Sequence, residues 1–193
     1  MTVFVPLHDP SALDAAEQAL RAGGAIVLPT DTVYGLAALP EFVDQLYALK
    51  GRPESVPIAV LVASIEQAQT LVRVPDPARR VADALWPGPL TLVLETLDGQ
   101  STLGVRCPDH QFVRDLARRV GALSTTSANR HGEVTPPTAV DAAAALEGDV
   151  ALVIDGGPVH GVASTVVDAC DETLTILREG PISAERVRAA ALT

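Results

Sequence analysis

Short apolar runs alternate with stretches of helical periodicity along the whole chain, and that alternation restricts it to an α/β fold. The runs over 3–7, 25–28, 57–62, 91–94, 103–106, 123–126, 151–154, 165–168 and 173–177 predict strands. Helices are predicted over 43–49, 65–72, 77–85, 110–120, 139–146 and 183–191. A further helix, capped by Ser11, carries Leu13, Ala16 and Leu20 on one face and ends at Gly23-Gly24. Continuous apolarity over 57–62 marks a strand buried on both faces, hence a central one. Several strands follow one another directly, so a mixed sheet is expected. No linker, repeat or low-complexity segment interrupts the pattern, and residues 1–193 read as one domain.

Five polar clusters fall at the ends of these strands, where α/β proteins place ligands. Pro29-Thr30-Asp31-Thr32-Val33-Tyr34-Gly35 is either a ligand-holding turn or an ordinary one whose Thr and Asp bond their own backbone. Lys50-Gly51-Arg52-Pro53 sets two cations one residue apart, a point charge and a bidentate fork suited to a polyphosphate, or a favourable charge at a helix C-terminus. Trp86-Pro87-Gly88-Pro89-Leu90-Thr91 is a rigid corner whose Trp reads as core. Ser124-Thr125-Thr126-Ser127-Ala128-Asn129 packs four hydroxyls and an amide after an apolar strand, for phosphate or ribose oxygens or as a helix-capping loop. The fifth joins Arg106, Asp155-Gly156-Gly157-Pro158, Ser164-Thr165 and Arg178; strand alternation turns Cys107 away from the face that Arg106 occupies.

Charge narrows the ligands. The chain carries 24 acidic and 14 basic residues, net −10, and Lys50 is its one lysine. Such a balance excludes a broad surface that grips nucleic acid by its backbone. GxxxxGK, GxGxxG and GxSxG are all missing, so any ATP chemistry needs another cradle. Cys107 and Cys170 stand in no CxxC, and His8, His110, His131 and His160 form no metal spacing. No metal site is expected, the cysteines read as small core hydrophobes, and the histidines as surface or hydrogen-bonded residues. No apolar run reaches the roughly 18 residues of a membrane span, and no basic-then-apolar leader opens the chain. A cytoplasmic protein is expected.

In this order the clusters resemble the YrdC/TsaC family, the L-threonylcarbamoyladenylate synthases. The likeness rests on Pro29-Thr30-Asp31-Thr32-Val33-Tyr34-Gly35-Leu36, Lys50-Gly51-Arg52-Pro53, Trp86-Pro87-Gly88-Pro89-Leu90-Thr91, Val105-Arg106, Ser127-Ala128-Asn129, Ser164-Thr165 and Leu177-Arg178-Glu179-Gly180-Pro181. It covers roughly residues 12 to 182. The resemblance implies a single-domain, open, twisted mixed sheet flanked by helices, with a concave electropositive cavity. It implies a reaction in which L-threonine, bicarbonate and ATP give threonylcarbamoyl-AMP and pyrophosphate. Downstream transferase proteins would then modify tRNAs that read ANN codons, and tRNA would meet this chain only indirectly or weakly. Longer members of the family add a C-terminal domain, and none is expected in these 193 residues.

Carried over by position, Lys50 and Arg52 would be catalytic and meet the ATP phosphates, joined by Thr102, Ser127, Asn129, Thr135 and Arg178. Thr30, Arg106, Thr125 and Ser164 would hold threonine, with Arg106 on its carboxylate. Leu61 stands where some members have His, Val56 where some have a polar residue, and Asp31 where Glu is more usual. The chemistry asks for fixed cations, because a carbamate anion must attack the α-phosphorus of an anionic nucleotide. Mg²⁺ bridging phosphate oxygens would add to them. Water must be kept from the product, and the polar segment 130–137 is the candidate closing loop. The alternative is a double-stranded-RNA- or tRNA-binding or ribosome-assembly protein without adenylation activity.

Overall fold

A computed structural model describes residues 2–192. The strands are β1 (Val3–Pro6), β2 (Ile26–Leu28), β3 (Gly35–Ala38), β4 (Ala59–Leu61), β5 (Leu90–Glu95), β6 (Thr102–Arg106), β7 (Leu123–Ser127), β8 (Leu152–Asp155), β9 (Thr165–Asp168) and β10 (Thr175–Arg178). They form one sheet in the order β1-β8-β2-β3-β7-β4-β6-β5-β9-β10. Parallel pairs (β1/β8, β2/β8, β4/β6, β5/β9) and antiparallel ones (β2/β3, β3/β7, β4/β7, β5/β6, β9/β10) both occur, so the sheet is mixed as expected. β4 lies centrally, as its apolar run predicted.

The helices are α1 (Ala12–Arg21), α2 (Asp44–Lys50), α3 (Ile65–Gln69), α4 (Asp76–Leu85), α5 (Gln111–Val120), α6 (Ala139–Ala144) and α7 (Ala184–Ala191). Ser64, Thr138 and Ser183 cap α3, α6 and α7 by accepting a backbone N–H. Ser11 does not cap α1: its N–H and its hydroxyl both donate to Asp9 Oδ1, at 2.8 and 2.7 Å. The buried face of α1 is Ala12, Ala16 and Leu20, with Leu13 only partly covered. α3 stops at Gln69 rather than reaching 72, because Val72 is drawn into a bridge with Thr96.

One strand was not anticipated. β3 reads Gly-Leu-Ala-Ala, small residues of low strand propensity, and is held as a strand by pairing with β2 on one side and β7 on the other.

Strand alternation then sorts the two faces of the sheet. Ile26 and Leu28 of β2, Ala37 of β3 and Leu123 of β7 pack with α1 and α5. On the opposite face, Val27, Leu36, Ala38 and Val153 pack with Leu46 and Leu49 of α2 and Ala139 and Ala142 of α6. That face continues as Val60, Leu90, Leu92, Leu94, Val105 and Val167 under α4 and α7. Cys107 belongs to this second core and Trp86 packs against it, both as expected. Helices therefore cover one face throughout, whereas α1 and α5 cover only part of the other. What they leave open is the cavity. Among the described residues no helix is long and apolar enough to cross a membrane.

Candidate active site

The uncovered floor is a consequence of residue size. Gly104 of β6 sits where a Cβ would come within 3.3 Å of Ala59 Cβ and 3.4 Å of Thr91 Cγ2, so Gly and Ala keep the middle of the sheet low. Thr102, Gly104 and Arg106 alternate toward this side of β6, Thr91 and Val93 toward it on β5, and Val166 and Asp168 on β9. With Thr30, Arg52, Leu61, Thr125, Ser127, Ser164 and Arg178 they line a cavity of about 570 Å³. That volume lies within the roughly 300–1,000 Å³ usual for small-molecule sites.

Eight of the eleven site residues expected from sequence line this space: Arg52, Thr102, Ser127 and Arg178 from the phosphate set, and Thr30, Arg106, Thr125 and Ser164 from the threonine set. Lys50, Asn129 and Thr135 are not among its lining residues. They form the layer behind it. Lys50 is 2% exposed. Its ammonium donates to Ser127 O at 2.5 Å, Asn129 O at 2.7 Å and Asn129 Oδ1 at 3.3 Å, which accounts for all three of its protons. Asn129 Oδ1 also accepts from Thr135 Oγ1 at 3.0 Å, and its Nδ2 donates to Arg130 O and Glu133 O. The segment 130–137, expected as a closing loop, is tied to this network at Arg130, Glu133 and Thr135 and contributes no residue to the cavity lining.

Burial, with the Arg52 charge nearby, pulls the Lys50 ammonium from 10.5 down to about 8. Because the folded value lies below the unfolded one, the charged form weighs against the folded state. That cost is full below pH 8 and is relieved as pH climbs from about 8 to about 10.5. Between pH 7 and pH 9.5, wild type should gain about 2 kcal/mol in urea unfolding relative to Lys50→Met. Parallel pH responses in the two proteins would refute this placement of the charge.

Arg106 is 6% exposed and held on three sides. Its Nε donates to Gly88 O at 3.1 Å, its Nη1 to Thr32 Oγ1 at 2.9 Å and its Nη2 to Asp31 Oδ1 at 2.5 Å. The Trp86-Pro87-Gly88-Pro89 corner thus serves as an acceptor for this arginine. Thr30 hydroxyl donates to Val33 O at 2.7 Å, so the 3.0 Å contact between the Thr30 and Thr32 hydroxyls must be donated by Thr32. A continuous relay results, from Arg106 through Thr32 and Thr30 to the Val33 carbonyl. Thr30 also accepts from the N–H groups of Thr32 and Val33. Its hydroxyl is therefore committed to shaping the turn, as in the ordinary-turn reading, although the residue borders the cavity.

The other two arginines are held by neutral oxygens. Arg52 donates to Thr126 Oγ1 at 2.9 Å and Pro57 O at 2.6 Å, and its Nε is buried with no acceptor among the described residues. Arg178 donates to Ser164 O through Nε and Nη2, at 3.1 and 2.9 Å. Thr165 holds the segment after it by accepting from Gly180 N and Ile182 N. Burial pulls both guanidinium groups below their usual range, and for Arg178 the nearby Arg106 charge adds to it. Unpaired, partly desolvated cations of this kind attract anions. Sequence reasoning gave no site role to Thr91 or Asp168; alternation from Arg106 and pairing of β9 with β5 place both in the floor. His110 is half-buried; its Nδ1 has no partner among the described residues, and burial lowers its pKa.

An open mixed sheet whose bare face gathers three arginines among hydroxyls defines an α/β protein with a cationic cavity. Comparison with known proteins sharpens that class. The model of the telomere recombination family (Sua5/YciO/YrdC) matches residues 18–180. A relative from Mycobacterium tuberculosis (strain H37Rv) is 38% identical over 186 residues, 90% of this chain and 86% of that one. The threonylcarbamoyl-AMP synthase of Bacillus subtilis is 36% identical over 197 residues, and this chain spans 57% of its length. The solved structure of P. abyssi Sua5 complexed with L-threonine superposes with a TM-score of 0.89 at 31% identity, over 98% of this chain and 60% of that one. The chain belongs to the YrdC/Sua5/TsaC family of threonylcarbamoyl-AMP synthases.

Proposed function

We propose that this chain joins L-threonine, bicarbonate and ATP into threonylcarbamoyl-AMP and pyrophosphate. The observation that carries the reading is one cavity lined by two arginines without a carboxylate partner among the described residues, suited to phosphates, and by a third held in place by Asp31, suited to a carboxylate. The threonine amine and bicarbonate give a carbamate and water. A carbamate oxygen then bonds to the α-phosphorus as the bond to pyrophosphate breaks. Arg106 would orient the threonine carboxylate through the N–H groups it has left. Arg52 and Arg178 would offset the charge where the two anions meet, with Thr102 and Ser127 supplying hydrogen bonds. Lys50 and Asn129 would act from behind by fixing the carbonyl ends of β7, and Thr125 and Ser164 would border the amino acid. Leu61 would give it an apolar floor in place of the His found in some relatives.

Asp168 is the one carboxylate in the lining, and no group of three His, Cys, Asp or Glu suited to a metal occurs among the described residues. Such a donor set fits an Mg²⁺ ion carried in by ATP, where it would neutralise phosphate charge. The product would pass to downstream transferases that act on tRNA, in keeping with the net charge of −10.

The test is pyrophosphate release from ATP by the purified protein. Release that requires both L-threonine and bicarbonate is expected. Release independent of threonine would overturn the reading.

A further inference from the structure

The three arginines of the cavity differ in one respect that bears on how two anionic substrates are kept apart. Among the described residues, only Arg106 of the three is ion-paired: its Nη2 meets Asp31 Oδ1 at 2.5 Å, with the side chains 8% and 12% exposed. Arg52 and Arg178 contact only hydroxyl and carbonyl oxygens. Asp31 Oδ2 is buried and accepts no hydrogen bond among the described residues, so no further donor there spreads this carboxylate's charge. From the cavity, Arg106 and Asp31 together present a dipole rather than a full positive charge, and a dipole's field falls faster with distance.

Arg106 nevertheless keeps its directional donors. Three of its five N–H groups are spent on Gly88, Thr32 and Asp31, which leaves one on Nη1 and one on Nη2. Such a group suits one planar carboxylate, above all in a zwitterion that brings no net charge. It suits a phosphate chain poorly, because several negative charges would then approach Asp31 as well.

We infer that Asp31 sorts the two anions: it makes the Arg106 end of the cavity selective for a single carboxylate and leaves phosphate chains to Arg52 and Arg178. Without Asp31, Arg106 and Arg178 would form a second two-cation clamp for phosphates, since both line the one cavity and Arg178 bonds Ser164, whose hydroxyl meets Thr91 beside Arg106. ATP and released pyrophosphate would then compete for the amino-acid end. The inference rests on the proposed reaction, and it concerns which ligand binds where.

Inorganic pyrophosphate is the probe. With wild type, pyrophosphate should raise the apparent KM for ATP and leave that for L-threonine unchanged. With Asp31→Asn, which keeps the shape and removes the charge, pyrophosphate should become competitive with L-threonine, its inhibition constant against threonine falling about tenfold or more. Asp31→Glu should keep the wild-type pattern. Competition with threonine in wild type, or its absence in Asp31→Asn, overturns the inference. Should Asp31→Asn not fold, calorimetric titration of wild type with pyrophosphate, with and without saturating L-threonine, decides it: equal affinities support sorting, and a tenfold loss overturns it. The same calorimetric titration of wild type and Asp31→Asn reads out even if turnover is not observed, so the failure of the proposed reaction is separable from the failure of the sorting.

Discussion

Arg106→Ala should lower the melting temperature by roughly 6–20 °C, the largest stability effect expected of any cavity residue. The cause is what it leaves behind. Asp31 would remain seven-eighths buried without its arginine, and its Oδ2 already lacks a donor among the described residues. Breaking a buried ion pair from one side costs about 3–5 kcal/mol, and for a chain of this length each kcal/mol moves the midpoint about 2–4 °C. Thr32 and the Gly88 carbonyl lose a donor as well. The double variant Asp31→Ala/Arg106→Ala removes both charges and should recover at least about 2 kcal/mol of the loss, because paired charges couple strongly in such a cycle. Thermal melts of the two single variants and the double variant measure this directly. Additive losses would mean that the pair contributes no coupling. L-threonine should no longer raise the melting temperature of any variant lacking Arg106.

Arg52→Ala presents the opposite profile. This guanidinium makes two hydrogen bonds to neutral oxygens and no ion pair among the described residues, so its removal should change the melting temperature little. Its effect should fall on turnover. If Arg52 stabilises charge that develops at the α-phosphorus, pyrophosphate release should drop about 10²–10³-fold, the scale of losing one preorganised donor. Arg52→Lys should recover little of that, because a point charge cannot keep contact with Thr126 and Pro57 while presenting a fork to a phosphate. Rates from the two variants, measured at saturating ATP and threonine, would show it. A lysine variant close to wild type would mean that charge alone is needed.

Much of the molecule was legible before any coordinates. Nine of the ten strands announced themselves as apolar runs, and β4 even announced its central place. β3 did not, since Gly35, Leu36, Ala37 and Ala38 become a strand only by lying between two others. Ser11 looked like a cap, and Asp9, two residues upstream, took both of its donors. Eight of the expected site residues share one cavity because strand alternation and sheet order bring them to the one uncovered face. Lys50 was the instructive exception. Adjacent to Gly51 and Arg52 in sequence, it ends α2 as a buried residue, and Gly51 in the left-handed region at φ 58° turns the chain before Arg52 reaches the cavity.

The amino-acid sequence by itself determined the α/β class, the single mixed sheet, the acidic exterior and the set of motifs from which the site is made. Those are properties of periodicity, composition and spacing, which are local and survive without knowledge of what lies opposite. Only the tertiary structure decided that α1 and α5 stop short of covering the sheet, that Lys50 faces carbonyls instead of the cavity, and that Asp31 rather than solvent or substrate holds Arg106. Each of these depends on partners 74 to 79 positions apart or more, such as Thr32 with Arg106 and Lys50 with Asn129. Such meetings are set by strand order and burial, and no local pattern records them.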